Sequence, residues 1–238
     1  MRVAVDAVAA AEDLEGEPAE VILEWAFESL PRFAVTSSFG ADSAALLHLA
    51  SRVDRGVPIL FLETGLHFAE TLRFRDLLTA RLGLRDVRDV RPGLSVEAQA
   101  RRFGGALHLR DPDLCCGLRK VEPLDDALSS FDGWASGVRR EQTSQRSATP
   151  VVGLARRGEQ TLVKVAPLAR WSAADVEAYL LRNDLPRHPL ADAGFPSIGC
   201  APCTRRIRPG EDPRSGRWAG QGKTECGIHI EPPDQDQR

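Results

Sequence analysis

The chain has 238 residues, of which 42% are hydrophobic and 27% charged, with a formal net charge of −3. That length buries the core of one globular domain with at most a small appendage, and the composition biases of collagen-like, coiled-coil and wholly disordered chains are absent. A net acidic chain offers no polycationic surface to a nucleic-acid backbone, so nucleic acid is excluded as a partner and any anion site must be local.

The chain opens on an acidic stretch expected to be frayed. Its apolar run from Val3 to Ala11 is interrupted by Asp6 and followed by Glu12, Asp13, Glu15 and Glu17, unlike a signal peptide. No stretch approaches the ~18 uninterrupted apolar residues of a membrane span, so the expectation is a cytoplasmic protein without a membrane partner.

A helix is predicted from Pro18 to Leu30, with Val21, Leu23, Trp25, Ala26 and Leu30 among its apolar positions. Phe33 to Thr36 then reads as a strand, Ser37 to Ser43 as a small-residue loop and Ala44 to Val53 as a helix. The unit repeats: Pro58 to Leu62 is a strand, Glu63-Thr64-Gly65 a turn, and Phe68 to Leu82 a helix closed by Gly83. Asp86 to Val90 is a third strand, and Ser95 caps a helix to Phe103. Cys116 to Ser129 has helical spacing, with Pro123 either kinking it or near its start. Gly133 to Ser136 is a short strand opening a polar loop, Gly137 to Thr149. Val151 to Leu154 and Leu162 to Val165 are later strands, and Ser172 caps a helix to Arg182. Such alternation implies an α/β fold, a Rossmann-like parallel sheet with helices on both faces. From Pro186 onward Pro and Gly are frequent and periodicity fades. Residues 1–185 are therefore read as the core and 186–238 as a functional appendage.

Chemistry concentrates in three places. The loop Ser38-Phe39-Gly40-Ala41-Asp42-Ser43 follows the first strand, where open α/β sheets bind ligands and where small residues let backbone N–H groups approach a phosphate or sulfate. Five cysteines in a large chain without secretory features suggest ligands or chemistry rather than a disulfide framework. Cys115-Cys116 and Cys200-x-x-Cys203 supply four thiolates for zinc or an iron–sulfur cluster, and adjacent cysteines suit two corners of a cluster better than one tetrahedral ion. Lys120, one helical turn after Cys116, places positive charge between such a cluster and an anionic substrate.

Cys226 stands apart in Lys223-Thr224-Glu225-Cys226-Gly227-Ile228-His229. A Gly-flanked tail is poorly suited to structural burial and well suited to a thiol that enters a cleft, reacts and swings out, with Lys223 and His229 favouring the thiolate. Arg205, Arg206, Arg208, Arg214, Arg217 and Lys223 give residues 200–223 a local positive excess, to which Arg139, Arg140 and Arg146 add. Arginine forks suit phosphate and sulfate oxygens, although a charge run is usually a solvated face.

Taken together, these segments resemble the assimilatory sulfonucleotide reductases, specifically the iron–sulfur adenylylsulfate (APS) reductases. The resemblance is carried by Ser38-Phe39-Gly40-Ala41, by Cys115 to Leu124, by Ser136 to Gln142, by Gly199 to Thr204, by Gly216-Arg217-Trp218 and by Glu225 to His229, in one order along most of the chain. It implies an adenine nucleotide alpha hydrolase-like fold and a 4Fe-4S cluster on Cys115, Cys116, Cys200 and Cys203. It also implies Cys226 as the nucleophile that attacks the sulfate sulfur of APS, expelling AMP and leaving an S-sulfonated cysteine from which thioredoxin releases sulfite. Lys120, Arg146, Arg214, Arg217 and His229 resemble the family's phosphosulfate-binding positions. The Ser37 to Ser43 loop, with Ser37, Ser38 and Gly40, resembles its nucleotide-binding wall together with Leu62 and Gly137. The resemblance places the reaction in sulfate assimilation and cysteine biosynthesis. Enzymes acting on 3'-phosphoadenylylsulfate (PAPS) generally lack the paired cysteines.

Two features depart from the pattern. Ala219-Gly220-Gln221-Gly222 lacks the aromatics often found there, which predicts a looser tail. Ser-x-Gly-x-Asp-Ser is close to the pyrophosphate loop of ATP-pyrophosphatase enzymes with Phe39 in place of a Gly, which keeps an ATP-cleaving enzyme as the alternative. A cluster-bearing redox sensor is a third class, without a basic DNA-reading helix to support it. A homo-oligomer remains open at this stage.

Overall fold

The computed structural model describes residues 5–229. Six strands form one sheet in the order β3-β2-β1-β4-β6-β5, where β1 is Phe33–Ser37, β2 Ile59–Leu62, β3 Val87–Val90, β4 Gly133–Ser136, β5 Val152–Arg157 and β6 Gln160–Val165. Between and after the strands lie α1 (Ala7–Leu14), α2 (Ala19–Ser29), α3 (Ser43–Val53), α4 (Ala69–Leu82), α5 (Val96–Phe103), α6 (Leu107–Arg110), α7 (Pro112–Cys116), α8 (Glu122–Leu128), α9 (Ala173–Arg182) and α10 (Pro189–Asp192). Five strands run parallel, as alternating strands and helices predict. The sixth corrects the expectation. β5 pairs antiparallel with β6, because the turn through Gly158, at φ 56°, is too short for a crossover and closes a hairpin at the sheet edge.

Strand residues alternate between two cores, so helices cover both faces. Phe33, Val35, Ile59, Phe61 and Ala135 meet the first, with Ile22, Leu23 and Ala26 of α2, Leu47 of α3 and Leu78 of α4. Ala34, Leu60, Leu62 and Trp134 meet the second, with Leu124 and Leu128 of α8. Every residue of β2 is buried, as a central parallel strand requires.

Two local expectations change. The acidic start is a capped helix rather than a frayed end: Asp6 Oδ1 accepts from the N–H groups of Val8 and Ala9 at 3.1 Å, and Ala7, Ala10 and Leu14 are buried. Val3 and Ala4 lie outside the described residues, as does the end of the 186–238 segment. The expected helix from Cys116 to Ser129 divides into α7, a π-helical turn over Gly117–Val121, and α8. Pro123 explains the division, since its ring lacks an N–H and would clash with the Arg119 carbonyl in a regular helix.

Order reverses at β1, whose neighbours β2 and β4 lead in opposite directions. Their carboxyl ends, Ser37, Leu62 and Ser136, open together, and α/β sheets bind ligands at such a switch point.

Candidate active site

A cavity of about 220 Å³ lies at that switch point. Its inner wall is Ser37, Ser38, Gly40, Leu62, Ser136 and Gly137; its outer wall is Ile198, Gly199, Arg214, Arg217, Glu225, Cys226 and His229, with Lys120 and Arg146 between them. All ten residues expected to bind substrate line this one space, as does the expected nucleophile.

The inner wall depends on an unusual backbone. Phe39 has φ 47°, the left-handed conformation that glycine adopts without strain and other residues at ~1–2 kcal/mol. Its side chain compensates by full burial and an edge-on contact with Phe61 at 5.4 Å between centroids. This explains how Phe is accommodated where the ATP-pyrophosphatase pattern has Gly: the aromatic core retains the left-handed turn. Ser37 Oγ accepts from the Phe39 N–H at 3.1 Å, and α3 begins at Ser43. Asp42 does not cap α3 with its side chain; it accepts from Arg139 at 2.8 Å and ties the loop to the start of the polar segment after β4.

The outer wall is cationic and incompletely paired. Arg214 Nε, Arg217 Nε and His229 Nδ1 there, with Ser136 Oγ on the inner wall, are buried without a hydrogen-bond partner among the described residues. Unpaired buried polar atoms cost roughly 1–3 kcal/mol each, so several around one cavity point to a polar ligand. The Arg217 guanidinium lies over the Trp218 ring, 4.4 Å from its centroid, and it covers Gly199 so closely that any Cβ there would collide with it.

Cys226 is buried, a correction to the expectation that its tail is ill suited to burial. The tail is docked by side chains around it. Lys223 pairs with Asp113, Thr224 Oγ1 donates to Gln145 at 3.1 Å, and Lys164 donates to the His229 carbonyl at 3.2 Å. Burial pushes the Cys226 thiol up, but Lys120, the Ile228 N–H and Arg217 outweigh it and hold the thiol below its ordinary value. His229 contributes no charge to this, another correction. Burial, reinforced by Arg146, Lys164, Arg157 and Arg214, holds its imidazole well below the usual range and therefore neutral.

Cys115, Cys116, Cys200 and Cys203 line a second, smaller pocket with Lys120, Arg217 and Trp218. Lys120 thus faces both spaces, as its spacing from Cys116 predicts. Burial disfavours its ammonium, but Cys200, Cys226 and Cys116 outweigh burial and hold its pKa above the ordinary lysine value. Three of the paired cysteines behave unlike Cys226: burial pushes Cys116 up to about 12 and Cys203 up to about 11, and raises Cys115 as well. As free thiols they would stay protonated; as thiolates they need a metal centre beside them. Two buried polar groups already approach their sulfurs, Thr64 Oγ1 at 3.4 Å from Cys200 and Gln99 Nε2 at 3.7 Å from Cys115. Gln99 is oriented by Arg119, which donates to its Oε1 at 2.9 Å and to the Thr64 carbonyl. An arginine can only donate, so the amide nitrogen is left facing the sulfur. Among the described residues, no three His, Cys, Asp or Glu side chains converge as a single ion requires; the thiols surround a space instead.

Several expected cations are committed elsewhere. Arg140 forks onto Glu15 at 2.5 and 2.8 Å, Arg139 pairs with Asp42 and Glu141, and Arg205 pairs with Glu211 at 3.1 Å. Arg206 and Arg208 do not line the cavity. Sequence reasoning missed Gln99, Arg119, Thr64 and the role of Glu225. One signal was available for Gln99: it is the one buried residue of α5, a polar side chain where an apolar one belongs.

Residues 32–206 match the phosphoadenosine phosphosulfate reductase domain family. The chain is 47% identical over 222 residues to the adenosine 5'-phosphosulfate reductase of Streptomyces coelicolor, covering 92% of each chain. It is 46% identical over 202 residues to a phosphoadenosine 5'-phosphosulfate reductase of Gloeobacter violaceus, covering 84% of this chain and 83% of the relative. Among solved structures, the phosphoadenylyl-sulfate reductase of Candida auris, in a phosphate complex, aligns with a TM-score of 0.71 at 27% identity over 84% of this chain and 96% of that one. The FMN adenylyltransferase of Candida glabrata shares the fold, with a TM-score of 0.56 at 16% identity over 84% of this chain and 72% of its own. The family match and the identity to these reductases agree with the geometry of the cavity, and the chain belongs to the phosphoadenosine phosphosulfate reductase family, the sulfonucleotide reductases.

Proposed function

We propose that the chain reduces APS to sulfite and AMP in sulfate assimilation, with Cys226 as nucleophile. The observation that carries this reading is the Cys226 thiol, buried at the cavity wall yet held toward thiolate by Lys120 and Arg217. The loop of Ser37, Ser38 and Gly40, with Leu62 and Gly137, takes the nucleotide; Arg214, Arg217, Lys120 and the neutral His229 surround the phosphosulfate. Those cations offset the negative charge of the phosphosulfate, which would otherwise repel an approaching thiolate.

The Cys226 thiolate donates its electron pair to the sulfate sulfur, forming a sulfur–sulfur bond, while the bond from that sulfur to the bridging phosphate oxygen breaks and AMP leaves with the oxygen. A dithiol carrier of the thioredoxin class then attacks Cys226 Sγ, sulfite departs, and the carrier's second thiol frees Cys226 as the carrier is oxidised to its disulfide. That exchange requires the docked tail around Cys226 to open, in keeping with residues 186–238 as a cluster-completing segment that carries the catalytic cysteine.

The buried thiols of Cys115, Cys116 and Cys200 and the partly buried thiol of Cys203, with Gln99 and Thr64 aimed at sulfur, fit a 4Fe-4S cluster. When bound, it supplies an anionic centre that joins α7 to the 200–203 segment beside Lys120. Cys203→Ser is expected to lose iron and acid-labile sulfide, and stoichiometric zinc without sulfide in an anaerobic preparation would overturn the cluster.

The substrate is tested by sulfite release from APS and PAPS side by side, with ATP as control. Preference for APS supports the reading. Preference for PAPS would assign the chain the activity for which its Gloeobacter relative is named, and pyrophosphate release from ATP without sulfite would favour the ATP-cleaving alternative.

A further inference from the structure

Glu225 is the acidic residue of the docked tail, and its side chain is only 1% exposed. It reaches across to the segment after β4. Its Oε1 accepts from Arg146 Nε at 2.7 Å and its Oε2 from Arg146 Nη2 at 2.6 Å, a fork-to-fork pair, while Thr143 Oγ1 donates to Oε1 at 3.2 Å. Arg214 Nη2 lies 3.4 Å from the same oxygen and also donates to the Thr224 carbonyl at 2.9 Å. The remaining Arg146 terminal nitrogen donates to Gln142 Oε1. The donating edge of Arg146 that faces the tail is therefore filled by protein acceptors.

The geometry points to Glu225 as a positioning residue that plugs the tail into Arg146 and thereby holds the Cys226 sulfur beside Lys120, with Arg146 serving as its receptor rather than as a phosphosulfate cation. This inference rests on Cys226 being the nucleophile. Residue 225 immediately precedes the thiol, so a bidentate contact at 225 fixes the chain at 226 with little remaining freedom. A burial this deep is costly for an unpaired carboxylate and tolerable when two oxygens meet a planar fork. Breaking either partner should release the tail more than it weakens substrate binding, because Lys120 and Arg217 still face the cavity.

The test uses the cluster-loaded full chain and three variants, Glu225→Gln, Arg146→Gln and the double variant, with Arg146→Lys as a milder change. The first readout is the rate at which iodoacetamide captures Cys226 without substrate, followed on its peptide by mass spectrometry. Each single variant should speed capture at least tenfold, and the double variant should do no more than the larger single effect. The second readout is the rate of S-sulfonate formation on Cys226 in one turnover at saturating APS, set beside the APS concentration giving half that rate. The rate should fall at least tenfold while the half-saturating concentration moves less than threefold, with Arg146→Lys in between. Unchanged capture together with a large rise in half-saturating APS for Arg146→Gln would make Arg146 a substrate cation and overturn the inference. Additive single effects would also overturn it. If the parent enzyme forms no S-sulfonate on Cys226, the nucleophile assignment itself fails, and the capture rates still decide whether Glu225 docks the tail.

Discussion

Arg217 is the cation whose removal should be felt most directly at the reacting group. Its guanidinium rests on Trp218, Nε has no partner among the described residues, and Nη1 has only a 3.5 Å contact with Ser197 Oγ. Little within the protein competes with a substrate anion for it. Arg217→Ala removes one charge-assisted contact, worth about 1.5–3 kcal/mol, or roughly a 10- to 150-fold loss of kcat/KM for APS. Arg217→Lys should recover part of this, keeping the charge but losing the planar fork. Gly199→Ala should act in the same direction without deleting any charge, because its Cβ collides with the guanidinium and displaces it. The assay is sulfite release across a range of APS concentrations, with iron content and cooperative unfolding compared with the parent. Parental kcat/KM in a folded, iron-replete Arg217→Ala enzyme would refute the argument and leave this cation a solvated bystander.

Phe39→Gly should destabilise the protein despite relieving a left-handed backbone: the lost aromatic burial costs about 3–5 kcal/mol against ~1–2 kcal/mol of strain recovered, a net loss visible in denaturant melts. An equal or higher midpoint would show that the ring does not compensate for the turn. His188 predicts a pH dependence of stability. It is fully buried, accepts from the Leu190 N–H at Nδ1, faces Thr71 Oγ1 at 3.1 Å and packs on Phe74, with Glu70 the nearest favourable charge. Burial takes its pKa from 6.5 down to about 4 in the folded protein. The unfolded chain therefore binds the proton first, so the neutral ring's contribution is intact above pH ~6.5 and is lost as pH falls toward ~4, to a total of roughly 3 kcal/mol. Melts of His188→Gln should be flatter than the parent over that range, and parallel curves would contradict the assignment.

The sheet was legible because its signals are local. β2 is a continuous apolar run, Gly83 ends α4 in the left-handed conformation, and the Ser95 and Ser172 hydroxyls cap α5 and α9 as their positions predict. The paired cysteines were legible because their spacing is unusual, and Cys226 because it stands apart from both pairs. What the sequence hid depends on partners far along the chain. Arg140 reads as a surplus cation until Glu15 is found opposite it, and the fork between Arg146 and Glu225 appears only once the tail folds back. The antiparallel β5 escaped because both its faces and its length suit either direction, and only the short turn at Gly158 decides between them. The burial of Cys226 escaped because a Gly-flanked tail carries no periodicity; it is docked by ion pairs and carbonyl contacts rather than by an apolar stripe.

The central claim is that Cys226 attacks the sulfur of APS. The most direct measurement mixes the parent enzyme anaerobically with APS and no thiol reductant, then maps the adduct by peptide mass spectrometry while AMP is quantified. One sulfonate on the peptide bearing Cys226, matched by one AMP released and removed as sulfite by reduced thioredoxin, is the predicted result; Cys226→Ser should give neither adduct nor AMP while retaining its iron. A sulfonate on any other cysteine, or sulfite released by the serine variant, would contradict the account.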